Sequence, residues 1–325
     1  MPLTLNSRFR SQPLVSNWLN SLNVKSRLIL PLFAHLGKQE KITIHGFPEV
    51  FRYSISAIAK KAQNFYKNGG RAIFLFGVPL KKDSNGTESY SDQNAVTQAI
   101  RAIKKKCPKL IVITDVCLCA YTNHGHCFIT NSKFENNNQL THLPIDLKST
   151  LNTLGKIALA HAQAGADFVA PSSMTAGRVK SIRQTLDTNG FKQTLIFDYS
   201  AKFCSAFFGP FRTVANSAPA FGDRSNYQIA PNDSKRALVE IQKSIKEGAD
   251  ILMIKPALPY LDIIAQARKM SKLPLAAYQV SGEYAMLKSA SKAKILDEKK
   301  ALVEIFTSIY RSGADLIITY FADKI

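Results

Sequence analysis

The chain has 325 residues, 46% of them hydrophobic, and its 43 Lys and Arg exceed its 23 Asp and Glu by 20. This composition supports a large buried core and excludes disordered and fibrous proteins, whereas the positive charge favours anionic partners. The longest apolar runs have six or seven residues, far fewer than the ~20 of a membrane-crossing helix, so a transmembrane protein is also excluded.

Residues 1–27 contain Arg8, Arg10, Lys25 and Arg27 and no acidic residue. A targeting presequence and an N-terminal arm both fit this pattern, and we expect an arm that packs on a neighbouring subunit. No low-complexity linker divides residues 28–325, which favours a single domain there. The five cysteines do not form a typical disulfide framework, and residues 1–27 lack a hydrophobic signal segment, so we expect reduced thiols and a cytoplasmic protein.

Eight short apolar runs predict buried strands. They are residues 28–33, 72–77, 110–116, 168–173, 194–200, 251–256, 273–281 and 316–321. Amphipathic stretches that predict helices separate most of them, for example residues 54–67, 150–163, 234–246, 260–269 and 298–311. Hydrophobicity that is continuous and not alternating indicates parallel strands covered on both faces. The pattern favours a (β/α)₈ barrel over a doubly wound open sheet, because no Gly-rich phosphate loop follows an early strand.

Three predicted helices end in the same tripeptide, Gly-Ala-Asp, directly before a strand. The copies are Gly165–Asp167, Gly248–Asp250 and Gly313–Asp315. Glycine at this position is typical of a left-handed helix end, so the repeat indicates successive helix–strand units.

Chemically reactive side chains follow the predicted strands, at the barrel end where catalytic groups normally lie. Lys255 is the most informative, because it follows four apolar residues and burying a lysine costs free energy unless it is paired or neutral. Burial and a second ammonium, for which Lys202 is the candidate, would lower the pKa of Lys255 and yield an amine able to form a Schiff base. A phosphate or carboxylate contact, or a structural ion pair, is the alternative for a lone lysine.

The segment CLCAYTNHGHC places Cys117, Cys119 and Cys127 on one loop. Three thiolates suit Zn²⁺ with its fourth position open to water or substrate, although cysteines at a strand end are also often small buried hydrophobic residues. Further along, residues 209–228 form a Gly- and Pro-containing loop with Arg212 and Arg224. This loop is either an active-site lid whose arginines bind a carboxylate or a structural loop with surface arginines.

Together these segments resemble the porphobilinogen synthase family, also called 5-aminolevulinate dehydratase. The resemblance extends from about residue 28 to 321. It includes the segments LILPLF, VAPS, YSAKF, FGPFR, GADILMIKPALPYLDI and AAYQVSGEYAM. The most specific motifs are the three-cysteine segment and the pair YSAKF and MIKP. It implies a (β/α)₈ barrel with an N-terminal arm, a homo-octamer, and condensation of two 5-aminolevulinate molecules to porphobilinogen with loss of two waters. In the family this reaction belongs to tetrapyrrole synthesis.

The resemblance also implies site roles. Lys255 would form the Schiff base with the first substrate and Lys202 would bind the second, while Cys117, Cys119 and Cys127 match the zinc-binding variant of the family. The remaining contacts implied for substrate are Arg212, Arg224 and Gln228 for the second carboxylate, Ser281 and Tyr320 for the first, and Asp115 and Ser172 for amino groups or proton transfer. Glu240 matches a position that binds an allosteric magnesium in some members.

This chain departs from the family pattern in two places. It reads PSSMTAGR where PSDMMDGR is common, so Ser173 and Ala176 replace two acids, and residues 128–140 lack the usual acidic continuation. Two other functions remain as alternatives: another class I aldolase, which would not need the cysteines, and a basic non-catalytic protein that binds nucleic acid, which would leave both lysines unexplained.

Overall fold

Ten strands form one sheet in the computed structural model, which describes residues 7–21, 23–131, 145–220 and 222–325. They are β1 (Leu28–His35), β2 (Lys41–Thr43), β3 (Phe51–Ser54), β4 (Ala72–Gly77), β5 (Ile111–Val116), β6 (Phe168–Pro171), β7 (Leu195–Lys202), β8 (Ile251–Lys255), β9 (Leu275–Tyr278) and β10 (Leu316–Ile318). Strands β1 and β4 to β10 pair in parallel, and β10 pairs with β1, which closes an eight-stranded barrel. The predicted (β/α)₈ barrel is confirmed, and each predicted apolar run overlaps one barrel strand, although β1 and β7 each extend two residues beyond the predicted end.

Most of the helices connect successive barrel strands along the chain and pack around the barrel, and two of them precede β1. Those in the described ranges are α1 (Ser7–Arg10), α2 (Pro13–Leu19), α3 (Ile55–Lys67), α4 (Ala95–Lys106), α5 (Leu147–Ala164), α6 (Arg178–Thr188), α7 (Gly209–Val214), α8 (Ser234–Glu247), α9 (Leu261–Met270), α10 (Ser281–Lys292) and α11 (Glu298–Arg311). In α3, the Ser54 side chain accepts a hydrogen bond from Ala57 N at the first turn, and Ile58 and Phe65 lie on the buried face. Of the helices described, none is long and apolar enough to cross a membrane.

A small hairpin outside the barrel is not predicted from the sequence. Strand β2 runs antiparallel to β3, and β3 pairs with the carboxyl half of β1, where Phe33 lies opposite Arg52. Strand β2 is only three residues long and mostly exposed, so it has no apolar run that could have revealed it.

The Gly-Ala-Asp repeats hold the amino ends of neighbouring strands together. Gly165, Gly248 and Gly313 all have positive φ angles, as expected for glycines that end helices. The aspartate that follows uses its carboxylate to accept a backbone N–H from the first or second residue of the preceding barrel strand. These pairs are Asp167 with Val112 N at 2.7 Å, Asp250 with Ile196 N at 2.8 Å and Asp315 with Leu275 N at 2.8 Å.

The described part of the N-terminal arm packs against the amino end of its own barrel. Trp18 is buried, with its ring edge-on to Phe168 at the start of β6 and its Nε1 donating to Ser26 O at 2.7 Å. Arg8 Nε donates to Asp250 Oδ1 at 2.9 Å. Residues 1–6 and 22 of the predicted arm, and 132–140 of the divergent stretch, lie outside the described residues. Packing of the arm on a neighbouring subunit stays a prediction.

Candidate active site

The two predicted lysines lie side by side at the carboxyl end of the barrel. Lys202 ends β7, Lys255 ends β8, and the two are paired in the register of these strands. The register shifts between Asp198 and Ala201, and such a bulge changes which way the following side chains point. Lys202 and Tyr199, three residues apart, can therefore lie on the same face, with Lys202 Nζ 5.4 Å from the Tyr199 ring centroid. Lys202 Nζ donates to Ser172 O at 2.7 Å.

Lys255 is buried, and aromatic rings surround its amine. Its Nζ lies 4.3 Å from the ring centroid of Tyr278, 4.7 Å from that of Phe211 and 5.2 Å from that of Tyr199. Burial, followed by the nearby Lys202 ammonium, lowers the pKa of Lys255 to about 7, although the Asp115 carboxylate opposes the shift. A substantial fraction of Lys255 is thus neutral near pH 7, which is the nucleophilic form.

The three predicted metal ligands converge on one point. Cys117, Cys119 and Cys127 are buried, and their Sγ atoms all lie within 4.8 Å of one another. Hydrogen bonds from the other two thiols, together with the charges of Arg224 and Lys202, lower the pKa of Cys127 well below that of an ordinary thiol. A thiolate is already favoured here, which suits the binding of a cation.

Asp115 lies between the lysines and the cysteines. Burial and the negative charge of Cys119 raise the pKa of Asp115 to about 6, against the opposing effect of Lys202. Its Oδ1 has no hydrogen-bond partner among the described residues. A partly buried carboxyl of this kind can take up or give a proton near neutral pH.

Ser281 and Tyr320 lie on the Lys255 side of the site. Ser281 Oγ accepts from Phe211 N at 3.0 Å, and the Tyr320 and Tyr278 hydroxyls are 3.1 Å apart. Both contacts are with residues whose rings flank Lys255. The structure therefore brings the residues predicted for the first substrate together with the predicted Schiff-base lysine.

The residues predicted for the second carboxylate lie on the loop 209–228. Arg224 Nη2 donates to Gly125 O at 2.9 Å and also to Ser217 O, which places it against the cysteine segment. Gln228 is buried, and neither polar atom of its amide has a partner in the described structure. The Arg212 Nε is also buried and unpartnered among the described residues.

Comparison with known proteins decides the family. A model of the family described as delta-aminolevulinic acid dehydratase matches residues 4–325. The chain belongs to this delta-aminolevulinic acid dehydratase family. A relative from Methanothermus sociabilis is 45% identical and covers 100% of this chain and 98% of its own length, and one from Staphylococcus aureus is 40% identical with the same coverage. The structure of the dehydratase (porphobilinogen synthase) from Toxoplasma gondii, in complex with the reaction product porphobilinogen, is 35% identical with a TM-score of 0.88, covering 100% of this chain and 94% of that one.

Family membership confirms the predicted enzyme class, a lyase of the porphobilinogen synthase type. Neither another class I aldolase nor a non-catalytic nucleic-acid-binding protein is favoured.

Glu240 lies beside a buried ion pair between Asp198 and Arg178, the last residue of the divergent segment 171–178. Arg178 donates to both carboxylate oxygens of Asp198 at 2.9 Å. Glu240 is mostly buried; its carboxylate lies 2.9 Å from Lys243 Nζ and 4.0 Å from Arg178 Nη1. Ser173 is buried, and its hydroxyl has no partner among the described residues, so the structure shows no ion pair at this replaced acid.

Sequence analysis missed two polar residues of the site. Glu283 is buried in the first turn of α10, where it accepts from Val280 N at 2.6 Å and Leu258 N at 2.7 Å. It thereby connects the loop after Lys255 with the end of β9, and burial raises the pKa of Glu283 to about 7. Tyr227, on the loop 209–228, has a hydroxyl that donates to Cys127 Sγ at 3.8 Å. Neither Glu283 nor Tyr227 directly follows a predicted strand, so a search for reactive side chains at strand ends does not find them.

Proposed function

We propose that this chain condenses two molecules of 5-aminolevulinate to porphobilinogen, with Lys255 forming a Schiff base with the first. The observation that carries the proposal is the pair Lys202 and Lys255 on adjacent strands, beside three convergent cysteines. Relatives that share the family name over nearly their whole length support the reaction.

Lys255 provides the nucleophile. Its neutral amine attacks the ketone carbon of 5-aminolevulinate, and loss of the ketone oxygen as water leaves an imine. Ser281 and Tyr320, on the same side of the site, bind the carboxylate of this first molecule. Asp115 and Ser172 contact the amino groups and help to transfer protons, a role that suits a carboxyl with a pKa near 6.

Lys202 binds the second molecule, with Arg224, Gln228 and Arg212 holding its carboxylate. Gln228 supports this role because its buried amide lacks any partner within the described residues, and a buried polar group normally has one. The two lysines thus serve different substrates while the charge of one lowers the pKa of the other.

We propose Zn²⁺ as the metal held by Cys117, Cys119 and Cys127. The donors fit, since three soft thiol ligands lie within 4.8 Å of one another and one of them already favours the thiolate form. When bound there, zinc supplies a Lewis acid for a substrate carbonyl or a water with a lowered pKa.

Three further proposals rest mainly on the resemblance to the family. They are assembly as a homo-octamer, an allosteric Mg²⁺ at Glu240, and a cytoplasmic location. All five cysteines are free thiols, which supports a reducing compartment. Glu240 already has two cationic neighbours in its own chain, so magnesium would have to compete with Lys243 for the carboxylate.

Borohydride trapping tests the Schiff base. We expect 5-aminolevulinate with borohydride to add one reduced substrate to the peptide that contains Lys255, as measured by mass spectrometry, and to inactivate the enzyme. Lys255→Met should lose both the adduct and turnover, whereas Lys246→Met, at an exposed position of α8, should keep both. An active enzyme that forms no adduct on Lys255 would contradict the assignment.

Metal removal tests the cysteine site. We expect a chelator to abolish porphobilinogen formation and Zn²⁺ to restore it, while Mg²⁺ alone does not. Replacement of Cys117, Cys119 and Cys127 by Ala should remove the stoichiometric zinc measured by atomic emission, and Cys107→Ala, at a buried cysteine outside the cluster, serves as the control. Full activity in the metal-free protein would show that the cysteines are not needed for the reaction.

A further inference from the structure

The loop 209–228, called the lid below, packs through its described residues, 209–220 and 222–228, on the cysteine loop, residues 117–127. Ala220 N donates to His124 O at 3.0 Å, and Arg224 Nη2 donates to Gly125 O at 2.9 Å. Two successive carbonyl groups of the cysteine loop therefore serve as acceptors for the lid. The lid keeps both hydrogen bonds only while the cysteine loop holds these two carbonyl groups in place.

Gly125 allows the two segments to approach closely. A Cβ at this position would lie 2.3 Å from Ala218 O, and the residue has a φ of +71°. Both the contact and the backbone conformation exclude an ordinary side chain. The fit between loop and lid thus depends on the exact path of the loop backbone at residues 124–125.

Tyr227 joins the lid to a metal ligand directly. Its hydroxyl lies 3.8 Å from Cys127 Sγ and 3.2 Å from His126 Nδ1, and its ring packs on the three cysteines. A phenol has one proton; if it is donated to the sulfur, the hydroxyl oxygen accepts from His126 Nδ1–H. Partners that hydrogen-bond to metal ligands orient them and adjust their affinity for the metal.

The cysteines lie at both ends of the loop that carries these acceptors. An ion bound by Cys117, Cys119 and Cys127 would tie residue 119 to residue 127 and so close the segment that holds the carbonyls of His124 and Gly125. Without the ion, nothing joins the three sulfurs covalently, since all three are free thiols. Loop closure of this kind reduces the number of conformations that the segment can adopt.

We infer that metal occupancy and lid closure are coupled in this enzyme, and that Tyr227 is the positioning residue that couples them. The inference rests on the zinc site proposed above. Because coupling between two equilibria is reciprocal, zinc stabilises the closed lid and the closed lid strengthens zinc binding.

Two measurements on the full-length protein test this coupling without using activity. One is zinc affinity, from competition with a chromophoric chelator. The other is the rate of tryptic cleavage after Arg224, which is 3% exposed with the lid closed. Tyr227→Phe keeps the ring on the cysteines and removes only the hydroxyl. Ser225→Ala is the matched control, because its hydroxyl contacts Asp223 within the lid and no residue of the cysteine loop.

We expect zinc to slow cleavage after Arg224 in the wild-type protein. In Tyr227→Phe, zinc affinity should fall by about 10-fold to 100-fold, the usual effect of losing a partner of a metal ligand. Zinc-saturated Tyr227→Phe should also be cleaved faster than the zinc-saturated wild type, while the two metal-free proteins are cleaved at similar rates. Ser225→Ala should behave as the wild type in both measurements.

Other results would overturn the inference in distinguishable ways. If the wild type binds zinc but is cleaved equally fast with and without it, metal and lid are not coupled. If Tyr227→Phe lowers zinc affinity but leaves zinc protection of the lid intact, or changes neither, Tyr227 is not the coupling residue. If the wild-type protein binds no zinc at the cysteines, the zinc assignment under the proposed function fails together with this inference.

Discussion

The reactivity of Lys255 is set by a few neighbours at short range. Burial among the aromatic rings and the charge of the Lys202 ammonium both lower the pKa of Lys255. The Asp115 carboxylate partly offsets these two effects. Because the folded pKa lies near 7 and the neutral amine reacts, Schiff-base formation should increase as the pH rises through about 7.

Replacement of Lys202 by Met should move this pH dependence to higher pH. The substitution removes the ammonium that lowers the pKa of Lys255, so a larger fraction of Lys255 stays protonated at neutral pH. The measurement is the initial rate of borohydride-trapped adduct on Lys255 as a function of pH, which does not require turnover. Lys246→Met should show the wild-type profile, and an unchanged profile in Lys202→Met would contradict the assigned coupling.

Single residues were predictable where they break a pattern. Lys255 stands out because a charge directly follows an apolar run, Lys202 because it comes just after the neighbouring predicted strand, and the cysteines because of their spacing. Tyr227 and Glu283 break no pattern, since a tyrosine in a polar loop and a glutamate in a helix's first turn are ordinary. Their roles depend on which distant segments contact them, and such contacts are set by tertiary structure.

At the scale of elements, the barrel was predictable and its connections were less so. Each barrel strand is buried on both faces and therefore appears as an apolar run, and the Gly-Ala-Asp repeat marks three of the helix–strand junctions. The bulge in β7 has no corresponding signal in the sequence, because the segment that contains Tyr199 and Lys202 has the pattern of a regular strand. The hairpin of β2 and β3 is short and partly exposed, so neither a repeating pattern of apolar residues nor a continuous apolar run identifies it.

The repeated aspartates should contribute strongly to stability. Asp250 is fully buried, accepts from Ile196 N and pairs with Arg8, so Asp250→Ala leaves a buried N–H and a guanidinium without their acceptor. We expect a loss of about 3 kcal/mol in the free energy of unfolding, as measured by urea denaturation. Asp92→Ala, which removes the exposed partner of Arg101, should cost less than about 1 kcal/mol. Equal losses would show that the repeat does not brace the strands.

On the scale of the whole molecule, the amino and carboxyl ends of the barrel have separate tasks. The arm and the aspartates close the amino end, and the lysines, cysteines and lid occupy the carboxyl end. The arm was predicted from the charge of residues 1–27 and from the family resemblance. Neither identifies the partner of a buried ring, so neither could show that Trp18 packs on Phe168.

This separation predicts that a substitution at the amino end of the barrel lowers the free energy of unfolding and leaves kcat unchanged. Trp18→Ala removes a buried indole and its hydrogen bond to Ser26 O, and should destabilise the protein by about 3 to 5 kcal/mol. At a temperature where the variant is still folded, kcat should match the wild type. Val24→Ala, at an exposed residue of the same segment, serves as the control for thermal unfolding. A large fall in kcat without a fall in stability would contradict this division.

The pairing of the first barrel strand with the last has a consequence for biosynthesis. Leu28 and Ile29 in β1 pair with Ile317 and Ile318 in β10, so during translation this half of the β1 edge has no native partner until almost the whole chain has been made. The other half is protected early, because β3 follows β1 closely and pairs with residues 33–35. Unpaired strand edges are sites of aggregation. The hairpin therefore shortens the part of the β1 edge that stays unpaired while the ribosome completes the chain.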